Sequence, residues 1–149
     1  MEETHQYRVV AWWTSLTGIA KSASAPNAIH FAAPPEFGGL HGRWTPKELL
    51  LGAVGSCFTT TFQAIAASSN FQYTDLEVET HGTTAKTVDG YRFGEIVMRP
   101  KLTISSEEER NRAVDLLKKA KGLCLVSRAL GVTQTFEPLI AVGKAVPVG

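Results

Sequence analysis

Apolar and polar positions alternate in some stretches of this chain and are replaced by long apolar blocks in others. Short segments that are rich in aromatic and β-branched residues, or that alternate apolar with polar residues, are typical of β-strands. They predict strands at Tyr7–Trp13, Ile19–Ala25, Ala28–Ala32, Asp75–Gly82 and Tyr91–Ile104, and a last strand from Val132–Phe136 and Leu139–Val142 that Pro138 interrupts. Gly18, Asn27 and Asp89-Gly90 mark turns, and Pro100 predicts a bulge or an edge position.

The longest apolar block, Thr45–Asn70, predicts a central helix around which the rest of the chain is organised. Thr45 is a good N-cap, Pro46 suits the first helical position, and Glu48 completes a capping box. The stretch Leu49–Ala67 carries no charge, so we expect a helix that is buried on nearly all sides. Its threonine, serine and glutamine side chains argue against a membrane span.

The second half of the chain predicts two further helical segments. Ser106 and Glu109 form a second capping box before a helix that ends at Gly122, and Cys124–Leu130 predicts a short helical turn. The element order is then β-β-β-α-β-β-α-β. This order predicts one α+β domain over residues 1–149, with a mainly antiparallel sheet around the buried helix.

Composition places the chain among globular proteins. A chain of 149 residues with 44% hydrophobic and 19% charged residues can bury a core. The formal net charge of +1 provides no basic field for nucleic acid. The polar N-terminus is not typical of a signal peptide, and two cysteines do not make a secreted disulfide scaffold. We therefore expect a cytoplasmic protein with no nucleic-acid or membrane partner.

The two cysteines, Cys57 in the apolar helix and Cys124 shortly after Gly122, are the candidate reactive groups. They are 124 − 57 = 67 residues apart, so they form no CxxC motif and no complete zinc site. A buried cysteine is often an inert hydrophobic residue, and that interpretation stays open on composition alone. The four histidines lack metal-ligand spacing, and no P-loop, GxGxxG or GxSxG motif supports a nucleotide or serine-hydrolase function.

The segment PPEFGGLHGRWTPKELLLGAVGSCF, which contains Cys57, resembles the signature region of the OsmC/Ohr family. That family comprises the osmotically inducible protein C and organic hydroperoxide resistance proteins. Its pattern is a Pro/Gly-rich loop, an Asn/Thr-Pro helix start, a small-residue run, and a cysteine followed by an aromatic residue. A later cysteine with a serine three positions on, here Cys124 and Ser127, completes the pattern. The resemblance implies an OsmC-like α+β fold with mainly antiparallel sheets around a long buried central helix, in an intertwined homodimer with its sites at the subunit interface.

The same resemblance implies thiol-dependent reduction of hydroperoxides, especially organic ones, in oxidative stress defence. Cys57 would be the peroxidatic residue that becomes a sulfenic acid, and Cys124 would resolve it by forming a disulfide. An external dithiol would then reduce the disulfide, and no metal, haem or flavin is required. Because burial alone would raise the pKa of Cys57, we expect a cation nearby.

Glu48 and Arg43 are the candidates for the remaining site residues. Family peroxidases place an arginine in the early hairpin loop and a glutamate ten residues before the peroxidatic cysteine. Here that loop has no arginine, and Lys47 occupies the glutamate position. Glu48 is adjacent, but its capping role also explains it. Nine helical residues place it opposite Cys57 and roughly 13 Å along the axis, so it would have to act from the other subunit. Lys47 and Arg128 are further candidate cations.

These departures leave an alternative from a different class of function. A non-catalytic OsmC-like protein would bind a small apolar ligand in its interface pocket, and its Cys57 would be unreactive. A third hypothesis is a redox-sensing interaction protein whose disulfide alters dimer contacts without catalytic turnover. The reactivity of Cys57 towards hydroperoxides distinguishes the three.

Overall fold

The computed structural model describes residues 3–143, which divide into two compact units at Leu50–Leu51. The strands are β1 Val9–Thr14, β2 Thr17–Ser22, β3 Ile29–Phe31, β4 Asp75–Thr87, β5 Gly90–Ile104, β6 Thr133–Phe136 and β7 Leu139–Val142. The helices are α1 Pro46–Ser68, α2 Arg110–Leu123 and α3 Leu125–Ala129. The predicted order of elements is confirmed, with the last predicted strand present as two strands.

The first unit contains an antiparallel sheet in the order β1-β2-β3. The turn between β1 and β2 lies at Ser15–Leu16, where Ser15 has φ of 62°, and the predicted turn at Gly18 is wrong. Gly18 lies inside β2 against Phe31, and an added Cβ would come within 2.3 Å of that ring. Gly18 therefore leaves room for the Phe31 ring to pack closely on β2, and it does not form the turn.

The start of α1 confirms the predicted capping box. The backbone N–H of Glu48 donates to Thr45 Oγ1 over 3.2 Å, and the backbone N–H of Thr45 donates to Glu48 Oε1 over 3.1 Å. These bonds satisfy two amide groups that a helix terminus would otherwise leave unpaired. The helix then passes from the first unit into the second.

In the second unit α1 buries one face. The buried residues of that face are Val54, Gly55, Phe58, Phe62, Ile65 and Ala66. The sequence predicted burial on nearly all sides, whereas Ser56, Thr60 and Gln63 are exposed in the single chain. By length and mean hydropathy (1.5), α1 is also the one helix among the described residues that could span a membrane, a test that the core helix of a soluble protein passes as well.

The sheet of the second unit is built on β5. Strand β4 pairs antiparallel with one side of β5, and β6 and β7 pair parallel with the other. Pro100 thus lies in a central strand, so the predicted bulge or edge position is wrong. The Met98 carbonyl accepts a hydrogen bond from the Glu137 N–H, so it points towards β6 and β7. The backbone nitrogen of Pro100, two residues later in the strand, points to the same side. It lies opposite the break between β6 and β7, where the missing N–H of proline costs no strand hydrogen bond.

The core of the second unit joins α1, β5 and α2. Its buried members are Val54, Phe58, Phe62, Ile65, Ala66, Phe71, Met98, Leu102, Ile104, Ala113, Leu117, Ala120 and Cys124. The predicted capping box pairs Ser106 with the wrong residue, Glu109. A 3-10 turn, Glu107–Glu109, precedes α2, so the Ser106 hydroxyl accepts from the Glu108 N–H over 3.3 Å. The core therefore includes the second cysteine, beside the helix that carries the first.

Candidate active site

Cys57 and Cys124 lie side by side within the second unit. Cys57 is in the middle of α1, and Cys124 is the single residue between α2 and α3. The two side chains come within 3.7 Å of each other, and both residues are free cysteines. Cys124 is fully buried, at 0% exposure, whereas Cys57 is partly exposed. The structure therefore brings together the two thiols that the sequence selected, with one of them open to solvent.

The Cys57 thiol is surrounded by neutral hydrogen-bond donors. Burial raises its pKa, but backbone N–H groups of Val126 and Leu125 and the side chains of Cys124 and Thr61 donate to the sulfur, and their combined effect lowers the pKa below its ordinary value. Hydrogen bonds of this kind favour the thiolate because they stabilise only the charged form. In this unit, these neutral donors take the place of the cation that the sequence predicted. Cys57 is therefore the thiol that ionises first.

Cys124 has the opposite tendency. Its burial raises its pKa above the ordinary value, and the hydrogen bond to Cys57 and the charge of the Cys57 thiolate act in the same direction. The Ser127 backbone N–H and the charge of Lys121 oppose that rise without overcoming it. Cys57 is thus the more acidic thiol of the pair, and the Cys124 S–H also lies within hydrogen-bond distance of the Val54 carbonyl, at 3.9 Å.

A polar cluster lies directly behind Cys124. Lys121 Nζ donates to Ser127 Oγ over 2.8 Å and to Gln134 Oε1 over 3.2 Å, and the Ser127 hydroxyl also donates to Gln134 Oε1. The Gln134 side-chain N–H returns a bond to the Ser127 carbonyl over 2.8 Å. Ser127 is 1% exposed, so these bonds satisfy a hydroxyl that would be costly to bury alone. The bonds between Ser127 and Gln134 tie α3 to β6 independently of Lys121, and they hold the amides that face Cys57.

The other predicted site residues belong to the first unit. Arg43 and Glu48 line one open depression of about 290 Å³, together with Gly42 and Trp44. Glu48 uses its carboxylate in the capping box, and Lys47 Nζ lies 5.4 Å from the ring centroid of Phe37. These contacts give both side chains a local role. The participation of Arg43 and Glu48 in chemistry at Cys57 stays a prediction.

Sequence reasoning missed the Cys57 donors and the role of Lys121. The donating amides belong to residues 125 and 126, and no residue type signals a backbone N–H that points at a distant sulfur. Lys121 carries a weak signal, since it lies three residues before Cys124, but a lysine in the last turn of a helix is also explained by its favourable interaction with the helix end. Within residues 3–143, no group of three or more His, Cys, Asp or Glu side chains could hold a metal ion.

Comparison with known proteins adds independent information on the fold. The family model described as OsmC-like protein matches residues 39–137. An uncharacterized protein of Bacillus subtilis, YmaD, is 27% identical over 133 residues, which is 87% of this chain and 89% of that protein. An OsmC-like protein of unknown function from Vibrio cholerae superposes with a TM-score of 0.80 at 15% identity, covering 91% of this chain and 100% of the other. An organic hydroperoxide resistance protein from Legionella pneumophila gives a TM-score of 0.73 at 19% identity, covering 93% and 100%.

Proposed function

Because this chain belongs to the OsmC-like protein family, we propose that it reduces organic hydroperoxides with its two cysteines and an external dithiol. The observation that carries the proposal is the 3.7 Å approach of a partly exposed, acidified Cys57 to a buried Cys124. A thiol of lowered pKa with a second thiol in contact is the arrangement that a peroxidatic and a resolving cysteine require. Structural relatives named as organic hydroperoxide resistance proteins support the choice of substrate.

The reaction proceeds in two oxidative steps. The Cys57 thiolate attacks the outer oxygen of ROOH, the O–O bond breaks, and the departing alkoxide takes a proton to leave as an alcohol. Cys57 is then a sulfenic acid. The Cys124 thiol attacks that sulfur, the S–O bond breaks, and the hydroxyl leaves as water with the thiol proton. The product is a Cys57–Cys124 disulfide, which a dithiol returns to two thiols while it becomes a disulfide itself.

Apolar surface beside the site favours an alkyl peroxide over hydrogen peroxide. The side chains of Leu123 and Leu125 are 50% and 72% exposed, on either side of Cys124. The Leu125 N–H itself donates to Cys57, so its side chain begins next to the reacting sulfur. An alkyl group that covers these leucines is removed from water, a gain of about 0.8 kcal/mol per buried methylene that hydrogen peroxide cannot obtain.

The test follows thiol oxidation by intact mass. Reduced protein is mixed with one equivalent of tert-butyl hydroperoxide, and in parallel with hydrogen peroxide, and sampled from seconds to minutes. We expect rapid loss of two hydrogen atoms, faster with the organic peroxide. Cys57→Ser should not react, and Cys124→Ser should stop at a sulfenic acid. Oxidation of Cys57→Ser at the parental rate would refute the proposal, and a co-purified apolar ligand with an inert Cys57 would support the non-catalytic alternative.

The proposed enzyme is a cytoplasmic homodimer. In the first unit Trp12, Trp13 and Trp44 are each more than half exposed, at 53%, 54% and 54%. Large aromatic side chains on the surface of a single chain are typical of a protein–protein interface. Sedimentation velocity of the reduced protein should give the mass of two chains. A stable monomer that retains peroxidase activity would remove both the dimer and any contribution of Glu48 from a partner subunit.

A further inference from the structure

The cluster behind Cys124 contains a charge that the oxidative steps above do not use. Lys121 lies in the last turn of α2 and is partly buried, and its ammonium group is held by two hydrogen bonds, to Ser127 Oγ at 2.8 Å and Gln134 Oε1 at 3.2 Å. Both acceptors are neutral, so the lysine has no carboxylate partner in this cluster. A partly buried ammonium that neutral groups fix in place acts on its surroundings as a positive charge.

Cys124, three residues after Lys121, can become negative and feels the charge of the lysine. The positive charge of Lys121 lowers the pKa of Cys124, against burial, which raises it. In the reduced protein Cys124 stays a thiol, so the charge has no anion to stabilise there. It has one when the Cys57–Cys124 disulfide is opened and one of the two sulfurs must depart with the bonding electrons.

Exposure decides which sulfur departs. Cys124 is fully buried, so an external thiolate cannot approach it, whereas Cys57 is partly exposed. The reductant therefore attacks the Cys57 sulfur, and the Cys124 sulfur leaves as a thiolate. A thiolate that leaves into a closed pocket is disfavoured unless a nearby group stabilises its charge.

We propose that Lys121 is a positioning residue for the reductive half of the cycle: through the Ser127–Gln134 cluster its ammonium is held where it stabilises the departing Cys124 thiolate. This inference rests on the proposed function, because it assigns a role in returning the disulfide to two thiols. It also requires that the reductant forms its mixed disulfide with Cys57 and not with Cys124.

The electrons and protons of the step balance as follows. One thiolate of a dithiol attacks Cys57, a new S–S bond forms, and the Cys57–Cys124 bond breaks with its electron pair on Cys124. Cys124 takes up a proton. The second thiol of the reductant loses its proton and attacks the reductant sulfur of the mixed disulfide, and Cys57 departs as a thiolate. The protein gains two electrons, and the dithiol leaves as a cyclic disulfide.

The experiment separates the two half-reactions. The disulfide is formed with diamide, which removes the two thiol hydrogens without any peroxide, and dithiothreitol then reduces it while free thiols are counted with time. Lys121→Gln keeps a hydrogen-bonding side chain without the charge, Lys121→Arg keeps the charge, and Lys118→Gln is the matched control at an exposed position of the same helix. Oxidation of the reduced variants by tert-butyl hydroperoxide is measured separately.

We expect Lys121→Gln to slow disulfide reduction by about 3- to 10-fold and to leave the peroxide step within about twofold of the parent. Lys121→Arg should restore reduction to within about twofold, a rescue that a purely structural role of the lysine would not predict. Unchanged reduction in Lys121→Gln, equal slowing of both half-reactions, or failure of diamide to form the disulfide would each overturn the inference. If the parent protein does not react with the peroxide, but its diamide-formed disulfide is reduced more slowly in Lys121→Gln, the proposed function is refuted and only the effect of Lys121 on disulfide reduction remains.

A mixed disulfide identifies the sulfur that is attacked. The diamide-oxidised protein is treated with 2-mercaptoethanol, quenched with acid at early times, and mapped by peptide mass. We expect the adduct on Cys57. An adduct on Cys124 would mean that the buried sulfur is the one attacked, and the role of Lys121 would be withdrawn.

Discussion

Thr80 offers a direct test of the packing between α1 and β4. Its side-chain oxygen is buried and has no hydrogen-bond partner among the described residues. Thr80 lies opposite Met98 in the β4–β5 pair. A Cβ added at Gly55 of α1 would be 2.9 Å from the Thr80 side-chain oxygen. A polar atom in such a position costs stability, because it has given up water without gaining a partner.

Thr80→Val removes that cost while it keeps the shape of the side chain. An unpaired buried hydroxyl costs about 1–3 kcal/mol, and a buried methyl group in its place contributes about 0.8 kcal/mol. The methyl group is slightly larger than the oxygen, which offsets part of this gain in a tight site. We therefore expect the free energy of unfolding to rise by about 1–2 kcal/mol. For a chain of this size the midpoint temperature should rise by roughly 2–4 °C per kcal/mol.

Urea unfolding of the reduced protein measures the effect. An unchanged slope of the free energy of unfolding against urea concentration, with a midpoint at higher urea, identifies a gain in native-state stability. Thr83→Val, on the same strand but exposed, is the matched control and should change stability by less than about 0.5 kcal/mol. A loss of stability in Thr80→Val with no change in Thr83→Val would show that the hydroxyl is hydrogen-bonded in solution, and the reasoning would fail.

A double-mutant cycle tests the contact with Gly55. Gly55→Ala gains roughly 1 kcal/mol of helix propensity, but its Cβ lies 2.9 Å from the Thr80 oxygen, and overpacking of a core costs about 1–3 kcal/mol. In that background Thr80→Val should destabilise, because two carbons would then share the space. The two substitutions should therefore couple by about 1 kcal/mol or more, whereas additivity would mean that the two elements are not in contact.

Four further outcomes follow from the contacts described above. Alkylation of Cys57 should be half-maximal at a pH below that of an ordinary thiol, and Cys124→Ala, which loses one donor, should move that pH upwards in a rate–pH profile. Because the folded-state pKa of Cys57 is lowered, the stability of the parent relative to Cys57→Ser should be fully present above the unfolded-state pKa and fall as pH drops through the folded-state pKa, as urea unfolding across that range would show. Thr45→Ala should cost about 1 kcal/mol through the lost cap and leave Cys57 alkylation unchanged; slower alkylation would instead link the helix start to the site. Leu117→Ala, in the core, should cost about 2–5 kcal/mol in urea unfolding, and a loss below 1 kcal/mol would contradict the core described for α2.

The sequence predicted best where a local rule is sufficient. The cap at Thr45 and Glu48 depends on residues three apart in the chain, so the start of α1 could be located without any knowledge of the rest. The turn at Gly18 was misplaced because glycine serves two purposes, a turn or a close approach, and only the position of Phe31 distinguishes them. Pro100 was misjudged for a similar reason, since the break between β6 and β7 that accommodates it is formed by residues more than 30 positions later.

The candidate site shows the same limit more sharply. Cys57 and Cys124 were found because cysteine is rare and chemically distinct, and because their sequence context resembles a family pattern. What lowers the pKa of Cys57 could not be found in full in that way, because two of its four donors are backbone amides, those of residues 125 and 126. The sequence pointed to a charged side chain, which is the visible way to stabilise a thiolate. The structure uses the position of a short helix, which depends on how α2, α3 and β6 follow one another.

The proposed reaction cycle would change the environment of that short helix between its two redox states. In the reduced protein the amides of Leu125 and Val126 donate to the Cys57 sulfur, and these bonds are stronger when that sulfur is a thiolate. Once the disulfide forms, the sulfur is neutral and is a weak acceptor, so the amides lose that protection, while a covalent link ties α1 to the residue just before α3. The start of α3 is thus held by hydrogen bonds in the reduced protein and by a covalent crosslink in the oxidised protein. If the disulfide forms as proposed, the hydrogen-exchange rates of these two amides should report the redox state of the protein without any label on either cysteine.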